Sequence, residues 1–78
     1  MQTRKEHTKK QNNKLITFLK SNKIKDDYCI KFHYWEDAFI LYEECKGGQS
    51  DQIFMLYKID IGKNLKSLYK RNINKFNN

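Results

Sequence analysis

Residues 37–47 read "DAFILYEECKG", and on their conformation depends whether the chain holds a three-stranded sheet. Two readings compete. As a short helix, Asp37 is the N-cap and Gly47 stands just past the end, where a left-handed residue often closes a helix. As a strand, Phe39, Leu41 and Glu43 share one face, and Ile40 and Tyr42 share the other. Adjacent apolar residues do not by themselves separate a buried helix from a buried strand. The aromatic content and the short turn that precedes the stretch favour the strand.

The neighbouring segments support that choice. In residues 28–35, "YCIKFHYW", Tyr28, Ile30, Phe32 and Tyr34 alternate with Cys29, Lys31, His33 and Trp35, the period of a strand. Glu36 and Asp37 then form a tight turn into the returning strand. Beyond it, "KGGQSD" (46–51) is the strongest loop signal in the chain, because two glycines supply the positive φ that turns need. "QIFMLYKIDI" (52–61) is again β-branched and aromatic and reads as a third strand.

The two ends are helical in pattern. Residues 1–13 contain almost nothing apolar and read as a basic flexible arm or a frayed helix start, followed by a single α+β domain over 14–78. Leu15, Ile16, Phe18 and Leu19 make a narrow apolar stripe that predicts a helix over roughly 8–22, with Asn22 at its end. The closing stretch "GKNLKSLYKRNINKF" (62–76) is clearer. Gly62 ends the strand, and Leu65, Leu68, Tyr69, Asn72, Ile73 and Phe76 then recur at helical spacing. Lys63, Lys66 and Lys70 fall on the opposite side, with Arg71 and Lys75 towards one flank. The expected order is α-β-β-β-α, a three-stranded antiparallel sheet packed against two basic helices. Large residues on both sides of the strands leave an aromatic patch on the far face, of Tyr34, Tyr42 and Tyr57 or of Trp35 and its neighbours, which suits a homodimer interface.

Size and composition narrow the function. A chain of 78 residues is at most one domain, and one so short buries only about 60% of its unfolded surface. A deep catalytic cleft is not expected, and no second lobe has room to form. Eleven aromatic residues provide core material, and the absence of Pro with only three Gly argues against low complexity. No run approaches the roughly 18–20 apolar residues of a membrane span, and the polar start "MQTRKEHTKKQNNK" has no apolar leader core. A cytoplasmic location is therefore expected, with Cys29 and Cys45 as free thiols. In an exported chain the two could instead bridge. The heavy use of Lys, Asn, Ile and Tyr points to an AT-rich coding genome, such as a low-GC bacterium, its phage or a plasmid.

The net charge of +7 conceals a pattern. Residues 1–25 carry eight Lys or Arg against one acid, Glu6. Residues 26–60 carry eight acids against three Lys, and residues 61–78 carry five Lys or Arg and no acid. Basic ends flank an acidic middle, an arrangement that makes a directed field. A helix evolved only for solubility mixes signs, because opposite charges at i,i+4 support it. The candidate phosphate-contacting residues are therefore Lys63, Lys66, Lys70, Arg71 and Lys75, together with Arg4, Lys5, Lys9, Lys10 and Lys14 of the basic N-terminal segment. The bland alternative is a pair of Lys-rich solvated faces. Asp26, Asp27, Glu36, Asp37, Glu43, Glu44 and Asp51 would repel phosphate, so the sheet is not expected to read nucleic acid.

Two further chemistries find little support. "HYWED" (33–37) sets a His beside two carboxylates, but in a strand His33 points along one face while Glu36 and Asp37 lie in the turn. No nucleophile with a supporting base can be assigned there. Cys29, His33, Cys45 and His7 are the only soft metal ligands. Cys29 and His33 lie about 13 Å apart along a strand, and no paired Cys or His spacing exists. No metal, cofactor or catalytic residue is expected.

The α-β-β-β-α order resembles that of double-stranded-RNA-binding domains, in which a basic cluster at the start of the last helix contacts phosphates. "GKNLKSLYKR" sets Lys63, Lys66 and Lys70 in a comparable place. The resemblance is one of element order alone. Leu68 and Tyr69 stand where that family has small residues, and its Pro- and Gly-rich strand connections are missing.

The leading expectation is a small, non-enzymatic, nucleic-acid-binding accessory or regulatory protein, encoded by a phage or mobile element, with DNA and RNA both open. The alternative is a protein-interaction module, an inhibitor or adaptor, using the aromatic and acidic sheet face. A third reading is a compact ribonuclease using His33 with Glu36 or Asp37.

Overall fold

A computed structural model describes residues 3–46 and 54–76. Helix α1 spans Arg4–Ser21, strands β1, β2 and β3 span Tyr28–His33, Ala38–Lys46 and Phe54–Gly62, and helices α2 and α3 span Leu65–Arg71 and Ile73–Phe76. The three strands form one antiparallel sheet in sequence order, with β2 in the middle. The α+β class and element order agree with the sequence. The loop expected at "KGGQSD" falls mainly in 47–53, outside the described residues, as does the side chain of Cys45.

The ambiguous stretch is the central strand. Its register explains why: Leu41 sits opposite Ile30, and Phe39 opposite Phe32, whose ring it meets edge-on at 5.3 Å. Such cross-strand aromatic pairs add to area burial. Leu41 is fully buried, and Phe39 and Ile40 nearly so. Side chains on both of its faces are buried, Phe39 and Leu41 on one and Ile40 on the other, so the run is unbroken in sequence. Asp37 caps no helix. It closes a turn over residues 34–37, donating its N–H to the Tyr34 carbonyl at 3.0 Å, with φ of 47°. Asp tolerates this left-handed conformation better than most residues. The turn is two residues longer than the sequence suggests, and Tyr34 and Trp35 belong to it and not to β1.

All three helices cover one face of the sheet. Leu15 of α1, Leu68 of α2 and Phe76 of α3 join Ile30, Phe39 and Leu41 in a single core. Tyr69 links the helices: its ring stacks on Phe76, meets Phe18 edge-on, and its hydroxyl donates to the Lys23 carbonyl at 3.3 Å.

Two helix boundaries move. Helix α1 starts at Arg4, ahead of the expected residue 8, so most of the basic 1–13 segment is helical. Thr3 caps it, accepting the Glu6 N–H at 3.1 Å while its hydroxyl donates to the Glu6 carboxylate. The other end is where the sequence sets it: the Asn22 N–H bonds back to the Phe18 carbonyl. Gly62 ends β3, as the sequence implies, being its last residue, and a Cβ there would stand 3.1 Å from the Arg71 guanidinium. The closing helix is broken at Asn72, whose side-chain amide donates to the Leu68 carbonyl at 2.8 Å while its own N–H bonds Tyr69. The side chain thus competes for a carbonyl that the backbone ladder would use.

A β-bulge lies between Leu41 and Tyr42. Leu41 pairs with Asp60 and Tyr42 with Lys58, leaving Ile59 as the extra residue. Consecutive residues Ile59 and Asp60 can then both address the helices, one packing on the core and the other bonding Arg71 and Asn72.

Candidate nucleic-acid interface

The basic residues singled out in the sequence lie on the helices or directly before them, and every one of them is exposed. Arg4, Lys5, Lys9, Lys10 and Lys14 all belong to α1. The helical period puts Arg4, Lys5 and Lys9 on one flank and Lys10 and Lys14 on the other. Each flank borders a groove. Arg4, Lys5 and Lys9 line one of about 820 Å³ against the 34–37 turn, and Lys10 and Lys14 line another of about 580 Å³ with Thr17 and Phe18. Lys66 and Lys70 are on α2 and Lys75 on α3, while Lys63 precedes the Asn64 N-cap. Since α1, α2 and α3 cover the same sheet face, their solvent faces turn away from the sheet on the same side.

Arg71 differs from the rest. Its Nε donates to Asp60 Oδ2 at 3.0 Å and its Nη2 to the Ile61 carbonyl at 2.9 Å. It ties α2 to the end of β3, a structural duty that the sequence does not announce. Asn72 donates to the same carboxylate oxygen at 2.9 Å. These bonds, that of Arg71 first, hold the Asp60 carboxyl down at about 2 against the opposing effect of burial.

The acids sit elsewhere. Asp26 and Asp27 precede β1, Glu36 and Asp37 are in the hairpin turn, and Glu43 and Glu44 are on β2. Asp37 Oδ1 accepts a 2.8 Å hydrogen bond from His7 Nε2, clamping the turn to α1. The helices are therefore basic, whereas the strands balance Lys31, Lys46 and Lys58 against Glu43, Glu44 and Asp60, and the unbalanced acids lie before β1 and in the hairpin turn.

His33 meets neither carboxylate of the turn among its described bonds. Its Nε2 lies 2.7 Å from the Tyr42 hydroxyl, and burial pushes that phenol's pKa up, with Glu36 and Cys29 adding to the effect. Burial, followed by a hydrogen bond from the thiol to Glu44, likewise raises Cys29. Among the described residues no group of three or more His, Cys, Asp or Glu is placed to hold a metal ion. The aromatic patch expected from Tyr34, Tyr42 and Tyr57 is not assembled. Tyr34 is in the turn, and Tyr42 pairs with Lys58 while the next residue, Glu43, pairs with Tyr57, which sets the two tyrosines on opposite faces.

Of the two aromatic patches expected, the one around Trp35 forms, but as the wall of the first groove and not on the far sheet face, and sequence reasoning missed the cations beside it. Tyr34 and Trp35 stand there beside the α1 cations, with the Arg4 guanidinium 5.1 Å and 4.7 Å from their ring centroids. The available signal was the chain's lone Trp next to a Tyr and two turn-forming acids, and assigning Trp35 to a strand hid it.

Fold and surface together define a small α+β domain with a basic helical layer on a three-stranded antiparallel sheet. Compared with known proteins, the chain matches no family model, no curated protein and no solved structure. Among the described residues no helix is long and apolar enough to cross a membrane.

Proposed function

We propose that this chain is a small, non-enzymatic, nucleic-acid-binding accessory or regulatory protein of the cytoplasm, of phage or mobile-element type, that meets phosphates with its helical layer. The observation that carries this reading is the sorting of charge between layers. Lys5, Lys9, Lys10, Lys14, Lys66, Lys70 and Lys75 are exposed on helices that cover one sheet face, and the only acid on those helices, Glu6, is turned to the Thr3 cap. Cations gathered on one side neutralise a phosphate backbone and release its counterions, which makes affinity fall steeply with salt. Acids before β1 and in the hairpin turn orient the molecule by repelling the same backbone.

The test is a binding titration with fluorescently labelled DNA and RNA between 50 and 300 mM salt, on the order of the range over which counterion release is read. Binding should weaken linearly on a log–log plot. Reversing Lys66 and Lys70 to Glu should flatten the slope by about one for each phosphate no longer neutralised. Absence of binding at low salt would refute the reading.

One observation favours a second reading, a protein-interaction module or a homodimer. Leu56 and Ile61 are exposed on β3 at 42% and 36%, and β3 is an edge strand of the sheet. A protein partner retained from the native host after nuclease digestion would support it.

A further inference from the structure

The groove between α1 and the hairpin turn combines features that a purely electrostatic phosphate grip does not need. Trp35 is 80% exposed, unusual for the largest apolar side chain in a chain with little core to spare. It is nevertheless held in place. Its ring meets Tyr34 edge-on at 5.5 Å, and the Arg4 guanidinium lies 4.7 Å from its centroid. The turn that carries both rings is pinned twice, by the Asp37 N–H to the Tyr34 carbonyl and by His7 to the Asp37 carboxylate. His7 also packs edge-on against Tyr34 and Phe32. An exposed aromatic on a braced turn loses little conformational freedom when something docks on it.

The rest of the wall is cationic and amide-bearing. Lys5 and Lys9 line the groove with Arg4, and Asn12 lies one turn further along α1. Neither acid of the turn lines it; Asp37 lies on the other side of the same two rings, in an adjoining pocket with His7, to which it is bonded. A groove with aromatic faces at one end, amide donors and acceptors within it and only positive charge along its side matches one ligand chemistry: an unpaired base with its flanking phosphates. A duplex keeps its base faces inside the stack and cannot offer one to Trp35.

The geometry points to a single-stranded nucleic-acid site in which a base stacks on Trp35, Arg4 and Tyr34 complete the platform, and Lys5 and Lys9 take the adjoining phosphates. This rests on the proposed nucleic-acid function and names the form of ligand, the strand whose bases are free. The site lies on α1 and the turn, so it also assigns the leading role to the N-terminal helix over α2.

Trp35 is the only tryptophan in the chain, so its emission reports on this groove alone. The full-length protein is titrated with a short oligothymidylate, the matching oligouridylate and a blunt duplex of equal length, following Trp emission and, in parallel, the anisotropy of a labelled strand. The single strands should quench the emission saturably and the duplex should not. Trp35→Ala should weaken single-strand binding roughly 5- to 100-fold, the range for loss of one base–aromatic stack, with its salt slope unchanged. Trp35→Phe should restore much of the affinity, and Lys5→Ala with Lys9→Ala should flatten the slope instead. Because Trp35 is exposed, the variants should keep the parent's circular dichroism and melting temperature. A difference between the two single strands would assign DNA or RNA without affecting the site. Strands that bind while Trp35 emission and the Trp35→Ala affinity stay unchanged would overturn the groove and leave the electrostatic function standing. Equal quenching by the duplex would overturn the single-strand assignment, and no binding by any oligonucleotide would overturn both.

Discussion

Asp60 shows how much one side chain organises in so small a protein. It accepts from the Arg71 guanidinium, the Asn72 amide and the Ile61 N–H, and so fastens the last strand to the last two helices. Its carboxyl is held near 2 in the folded protein against 3.8 for the free group. A depressed carboxylate stabilises the fold at pH above the unfolded value, and that contribution is lost as pH falls from about 4 through 2. Asp60→Asn should therefore lower stability by about 1 kcal/mol at pH 6, the pair being partly exposed. Urea midpoints of the two proteins should converge between pH 4 and pH 2. Asn72 is 4% exposed, and its amide bonds both Asp60 and the Leu68 carbonyl. Asn72→Ala should cost about 1 kcal/mol in chemical denaturation, because Asp60 loses a donor, while the Leu68 carbonyl regains the backbone N–H of residue 72. Neither role was legible in the sequence. Asn72 falls in the apolar stripe of the closing helix, where its spacing implies packing, and Asp60 reads as an ordinary strand-end acid. Only the bulge opposite Leu41 turns Asp60 towards the helices.

At the scale of elements, legibility tracked local apolar pattern. The strands and the closing helix carry their periodicity on the surface of the sequence and appear in the expected order, although β1 ends at His33 and the helix breaks at Asn72. The first half of α1 has no apolar stripe, because the residues it half-buries are His7, Thr8 and Gln11. Its start is set by a cap, and a single Thr near a terminus is a weak signal. Thr3→Ala should remove about 1 kcal/mol from α1, read as faster amide exchange over residues 4–7 with the rest of the molecule unchanged. For β2, Leu41 is the fully buried centre of the sheet, and Leu41→Ala should destabilise by about 2–5 kcal/mol. Thermal melts should rank this variant below Asp60→Asn, Asn72→Ala and Thr3→Ala, its loss being close to the whole stability of a domain of this size.

Over the whole molecule, the two basic blocks of the sequence become one basic layer because both ends fold onto one sheet face. That common placement is what gives the salt-dependence experiment its meaning: cations scattered over both faces could not address one phosphate backbone together. It also bears on the aromatic groove, where α1 and the β1–β2 turn, 30 residues apart at the His7–Asp37 hydrogen bond, bring cations and rings together.

The sequence by itself determined the α+β class, the element order and the basic character of the helices, since each follows from residue type and period along a continuous stretch. The tertiary structure alone decided that residues 38–46 pair on both sides, that Arg71 is a strut, and that Trp35 faces a basic groove. Those outcomes depend on register, a bulge and contacts between distant segments, and short-range periodicity carries no information about which distant residues will meet.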